Sequence, residues 1–170
     1  MKIEKKKISD NECLLYFPSP LPINGTFYLK KDISTANILL NNIYRTDLAQ
    51  ELLLTADFLY IKAITNETME DLELIALAEI DDYYTSDLPL QEADNNFIND
   101  KIKIILKTVI APFLQKDGGD IEFIAYKDAV LDVRFLGKCQ SCPYAQRTLQ
   151  GHVSKNLIHY LPQIKEVKLS

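Results

Sequence analysis

The chain has 170 residues, with 47% hydrophobic and 25% charged side chains. That composition is globular and excludes collagen-like, mucin-like and wholly disordered classes. The net charge of −5 is uneven: residues 1–90 carry 8 basic and 15 acidic side chains, residues 91–170 carry 11 and 9. An acidic first half does not offer the basic face that nucleic acid requires. No apolar run reaches the length that spans a bilayer, so neither nucleic acid nor membrane is expected as a partner.

The first ten residues hold Lys5, Lys6 and Lys7 without a following apolar run, and also Glu4 and Asp10. This reads as a solvated end and not as a secretory or transit segment. The reading places the chain in a reducing compartment, the cytoplasm of a bacterium or the mitochondrial matrix of a eukaryote. Residues 12–17 read as a strand that Pro18, Pro20 and Pro22 stop. Thr26 to Lys30 is a second strand, after the Asn24-Gly25 turn. Ser34 is expected to cap a helix running to about Tyr44. Residues 50–54 and 58–64 form an expected hairpin around Thr55-Ala56-Asp57. Thr68 with Asp71 suggests a capping box, and Leu72, Ile75, Ala76, Ile80 and Tyr84 recur at helical period.

Residues 85–96 are polar and aperiodic and read as a linker. Beyond it, Asp94 or Asn96 is expected to cap a helix. Its apolar stripe, Ile98, Ile102, Ile105, Val109 and Phe113, has spacings of 4, 3, 4 and 4. Pro112 should kink its last turn, and Gly118-Gly119 should end it. Residues 120–127, with Ile121, Phe123 and Ala125 on one face, pair with residues 130–136, where Leu131, Val133 and Phe135 alternate with polar side chains. The loop 137–143 follows. Pro143 then suits the first turn of a helix to about Tyr160 that carries Tyr144, Leu149, Val153 and Leu157. Residues 164–169 form a last strand. The expectation is a mixed α/β (α+β) protein of two small domains, 1–84 and 97–170. The second has the order α-β-β-α-β around a three-stranded mixed sheet.

Three cysteines are too few for a disulfide framework. Cys13 lies on an apolar strand and reads as a packed thiol. Cys139 and Cys142 form a CxxC between a strand and a helix start, where amide donors and Lys138 would favour a thiolate. Metal ligation, thiol–disulfide exchange and mere packing all use such a pair. A tetrahedral metal or a cluster takes four ligands. His152 and His159 lie well along the helix and read as packed or solvated. A complete site therefore needs Cys139 and Cys142 from each of two chains, in a C2 arrangement. Asp117 and Asp120 read as turn residues, and Lys116 and Arg147 as solvated surface.

Two segments carry a family resemblance. They are Phe113-Leu114-Gln115-Lys116-Asp117-Gly118-Gly119-Asp120-Ile121 and Leu136-Gly137-Lys138-Cys139-Gln140-Ser141-Cys142-Pro143. Together they resemble the C-terminal domain of NifU-like (Nfu-type) iron–sulfur cluster proteins, over residues 97–169. Leu14-Leu15-Tyr16-Phe17, Ser34-Thr35-Ala36 and Ala56-Asp57-Phe58 resemble the domain that precedes it in Nfu proteins. Ser9-Asp10-Asn11-Glu12 stands where the family has Pro-Asn-Pro, and Ala129 where it often has glycine, a change expected to alter only turn geometry. The resemblance implies a scaffold or carrier and not an enzyme. Cys139 and Cys142 of two protomers would share one labile [4Fe–4S] cluster, favoured over [2Fe–2S]. The homodimer would form on loading, receive its cluster from upstream assembly proteins and pass it to client apoproteins. A thiol–disulfide oxidoreductase, a zinc-bridged dimer and a metal-free interaction module are the alternatives.

Overall fold

The computed structural model describes residues 2–33 and 35–170. The chain divides into two compact units, Met1–Asp94 and Asn95–Ser170.

The strands of the first unit are β1 (Glu4–Ser9), β2 (Glu12–Tyr16), β3 (Ile23–Asn24), β4 (Phe27–Lys30), β5 (Ala49–Leu54) and β6 (Phe58–Ala63). Five of them form an antiparallel sheet in the order β1-β2-β6-β5-β4. The basic start is solvated as expected, with Lys5 and Lys7 exposed, but it is also part of the sheet. Lys5 to Lys7 lie in an edge strand paired with Cys13 to Leu15, and charged side chains suit an edge because they deter pairing with other chains. Alternate residues of the inner strands, among them Cys13, Leu15, Leu52, Leu54, Leu59 and Ile61, share one core with the helices α1 (Ile38–Tyr44) and α2 (Met69–Thr85).

The expected Ser34 cap lies outside the described residues. The observed cap of α1 is Asn37, whose side-chain oxygen accepts from the Leu40 amide at 3.0 Å. At α2 the capping box is absent: Thr68 makes no side-chain cap bond, and its hydroxyl donates backwards to the Thr65 carbonyl. Glu70 and Asp71 in the first turn still suit the positive end of the helix dipole. Tyr83, not Tyr84, is the buried aromatic of its last turns. Within residues 85–96, Gln91–Glu92 (β7) pairs in parallel with β3. The Gln91 side chain accepts from the buried Asn37 amide at 3.0 Å and donates to the Tyr83 hydroxyl at 2.7 Å. Polar pairing of this kind leaves no hydrophobic period for a sequence reading to detect.

The second unit contains α3 (Ile98–Ile105), a π-helical segment (Leu106–Ile110), α4 (Ala111–Gln115), β8 (Gly119–Lys127) and β9 (Val130–Gly137). It ends with α5 (Ala145–Thr148), a second π segment (Leu149–Val153), α6 (Ser154–Tyr160) and β10 (Glu166–Leu169). The sheet order is β10-β9-β8, with β10 parallel and β8 antiparallel to β9, a mixed three-stranded sheet as expected. The cap of α3 is Phe97, in the left-handed region at φ 55°, in place of Asp94 or Asn96.

The first π segment explains why the apolar stripe drifts. Its wider turn shifts the register, so burial falls on Ile110 and Leu114, while Phe113 is 40% exposed. The same widening just ahead of Pro112 relieves the crowding that a proline ring imposes on the carbonyl four residues back. In β8 a bulge between Phe123 and Ala125 turns Ala125 outward, against the expected alternation. Tyr144, expected in the helix's apolar row, is 66% exposed at the cap of α5, and Pro143 precedes the helix instead of starting it. The hairpin turn holds Asp128 and Ala129 at φ 52° and 65°, the two-residue turn that matches strand twist. Its Ala129 carbonyl accepts from the Lys165 amide at 2.8 Å, tying the turn to the approach of β10.

Leu72 of α2 is fully buried, whereas Leu74 is 70% exposed. Leu72→Ala is expected to destabilise the first unit by about 2–5 kcal/mol. Leu74→Ala should stay within about 0.5 kcal/mol of the parent. Urea unfolding followed by circular dichroism checks the contrast.

Candidate functional site

The end of β9 and the turn after α4 build one small site. Gly118 sits at φ 77° and Gly137 at φ 59°, both in the left-handed region that glycine enters freely. Gly119 pairs with Gly137 in the hairpin register. The Lys138 amide donates to the Gly118 carbonyl at 3.1 Å, and the Gln140 amide to the Gly137 carbonyl at 3.1 Å. These bonds fold residues 137–142 back over the glycine turn. A Cβ on Gly119 would lie 2.1 Å from Cys139 Sγ, and one on Gly137 would lie 2.6 Å from the Gly118 carbonyl oxygen. The Cys139 sulfur thus rests against Gly119, and Gly137 lets the two backbones approach closely enough to place it there.

Cys139 and Cys142 are free and half-buried. The Cys142 amide approaches the Cys139 carbonyl at 3.4 Å, and the Ala145 amide donates to the Cys142 carbonyl at 3.1 Å, leading into α5. The local field differs from expectation. The Cys139 thiol is pushed up from its ordinary pKa, first by burial and then by Cys142, Asp117 and Asp120. The Lys138 side chain instead lies along Gly118. The apoprotein therefore holds Cys139 as a thiol, and a coordinated metal would supply the charge that removes its proton.

The other candidates are placed elsewhere. Cys13 is 1% exposed in the first unit's core, and burial pushes its thiol up to about 12. The His152 ring stacks on Phe113 at 3.8 Å. Its Nε2 is buried without a hydrogen-bond partner, and burial lowers its pKa. His159 meets Tyr160 edge-on at 4.7 Å. Asp120 accepts from the Ile121 amide at 2.8 Å, a turn role. Among the described residues no group of three or more His, Cys, Asp or Glu side chains could hold a metal ion. Among the described residues one chain offers the two thiols of this loop and no third such ligand beside them. Reading Gly118-Gly119 only as a turn missed the contact of Gly119 with Cys139; glycines facing each other across a hairpin beside a CxxC were the available signal.

Residues 102–168 match the NifU-like domain family, so the second unit carries a domain of that class. The NFU1 iron-sulfur cluster scaffold homolog, mitochondrial, of Drosophila persimilis is 30% identical over 137 residues, covering 74% of this chain and 49% of that protein. The homolog of the same name in Drosophila willistoni is 33% identical over 140 residues, covering 74% and 47%. The chain is a NifU/Nfu-type protein. It spans about half the length of the curated relatives it matches.

Two outcomes are expected. Iodoacetamide at pH 8 should modify Cys139 and Cys142 in the native reduced chain and reach Cys13 only after unfolding, as peptide mass mapping would show. Cys13 ionises near its ordinary value of 9.0 when unfolded and at about 12 when folded. The stability it lends is full below pH 9.0 and declines as pH rises from 9.0 towards about 12. Separately, Gly119→Ala should displace the Cys139 sulfur. Its modification rate, relative to Cys142, should change several-fold while far-ultraviolet circular dichroism stays native.

Proposed function

We propose that this chain is an iron–sulfur cluster scaffold or carrier and not an enzyme. The observation that carries the reading is the pair of free, half-buried thiols, Cys139 and Cys142, on one loop with no third ligand among the described residues. Soft thiolates are the donors such clusters take, and Gly119 leaves room for the Cys139 sulfur where any Cβ would clash with it. Four ligands then require two chains, with a C2 axis passing between the paired loops. The cluster is cargo. It is bound as [4Fe–4S] in preference to [2Fe–2S], received from upstream assembly proteins and passed to client apoproteins. Two ligands per chain favour release, because separating the chains halves the coordination. The names of the relatives support the scaffold role and make the mitochondrion the proposed compartment for a eukaryotic chain.

Anaerobic reconstitution with iron and sulfide tests this. The holoprotein should be brown and dimeric, with roughly two iron atoms per chain. Cys139→Ser and Cys142→Ser should each abolish iron retention, and Cys13→Ser should keep it. A colourless protein holding zinc would sink the reading, as would equal damage from Cys13→Ser.

A further inference from the structure

A cleft of about 240 Å³ opens beside Cys139, lined by Arg134, Phe135, Cys139, Gln140, Ala145, Leu169 and Ser170. It contains one cation, Arg134, whose Nε lies 3.4 Å from Glu122. A guanidinium carries five N–H donors in a planar fork, so this contact leaves most of them for another acceptor. Phe135, Ala145 and Leu169 add an apolar wall, and Gln140 adds an amide. The volume is below the roughly 300–1,000 Å³ typical of drug-sized ligands. We propose that this cleft binds a small thiol that carries a carboxylate, with the carboxylate on Arg134 and the sulfur beside Cys139.

Three features select that chemistry. A guanidinium fork holds a carboxylate through two parallel N–H···O bonds. A short methylene linker suits the apolar wall. A third sulfur beside Cys139 answers the shortage of ligands within one chain. This last point rests on the cluster-carrier reading. In the loaded protein the bound thiol would exchange with a cysteine of the second chain: its sulfur bonds to iron as that cysteine's sulfur–iron bond breaks, the thiol's proton passes to the departing thiolate, and no electron is transferred. The small thiol would then stand in for a ligand otherwise drawn from the second chain, which offers a single chain a way to hold cargo during hand-over.

The apo full chain, reduced and anaerobic, can be titrated with glutathione while its amide resonances are followed. Saturable shifts are expected at Arg134, Cys139, Gln140 and Ala145. S-methylglutathione, which keeps the carboxylates, should bind similarly, and 2-mercaptoethanol, which lacks them, should not saturate. Arg134→Gln should weaken glutathione binding about tenfold, and Arg134→Lys should restore part of it. On reconstitution with iron and sulfide under glutathione, native mass spectrometry should detect single chains holding iron and glutathione. Arg134→Gln should leave only glutathione-free dimers. The proposal is overturned if 2-mercaptoethanol reproduces the shifts, if Arg134→Gln binds glutathione as the parent does, or if iron-loaded species never contain glutathione. If the titration succeeds but no iron is retained with or without any thiol, the carrier reading fails while the binding cleft stands.

Discussion

The placement of the cysteine loop in the second unit depends on the contact between a sulfur and a missing side chain. Cys139 Sγ occupies the space where any residue but glycine at position 119 would place its Cβ. That contact requires Gly119 to face Gly137 across the hairpin. It also requires α4 to stop at Gln115 and the chain to reverse through Gly118 in a left-handed conformation. Helix end, strand register and loop geometry are thus parts of one steric condition. The condition concerns the backbone, so it holds the cysteine loop in place without enclosing the sulfur.

The two π segments act on the helices that flank this site. Each inserts one residue's worth of rotation into an otherwise continuous helix. The first moves burial from the Val109–Phe113 row to Ile110 and Leu114 and accommodates Pro112. It also frees Phe113 to stack on His152, which belongs to the second π segment. The stack joins the helix that leads into the glycine turn to the helix that leaves the cysteine loop. Both arms of the site are braced by a ring contact made outside the regular helical pattern.

The acid–base balance suits a site that works only when charged from outside. Burial and the carboxylates of Asp117 and Asp120 keep Cys139 protonated, which makes it a poor nucleophile and disfavours thiol–disulfide exchange. Ligation to a metal reverses the balance by supplying positive charge at the sulfur. A thiol held protonated until metal arrives fits the proposed carrier role.

Much of the fold is legible in the residues themselves. The alternation in Leu131, Val133 and Phe135 and the helical period of Leu72, Ala76 and Ile80 determine which faces are buried, because burial follows strand and helix periodicity directly. The division of the cysteines into one packed thiol and one CxxC is equally visible from their spacing and neighbours. Where sequence reading departs from the structure, the deciding contact is distant or is made by backbone. The lysine-rich β1 gains its partner only when β2 is beside it. The β7 segment pairs with β3 and bonds Asn37, both far away in the chain. The π turns and the bulge in β8 change register without leaving a mark in hydrophobicity. The amino-acid sequence by itself determined the chemical groups available, two cysteine thiols in a glycine-flanked loop of a small mixed sheet. Only the tertiary structure decided that Gly119 must lack a side chain and that Arg134 lines the cleft beside Cys139, because both follow from distances across the folded hairpin.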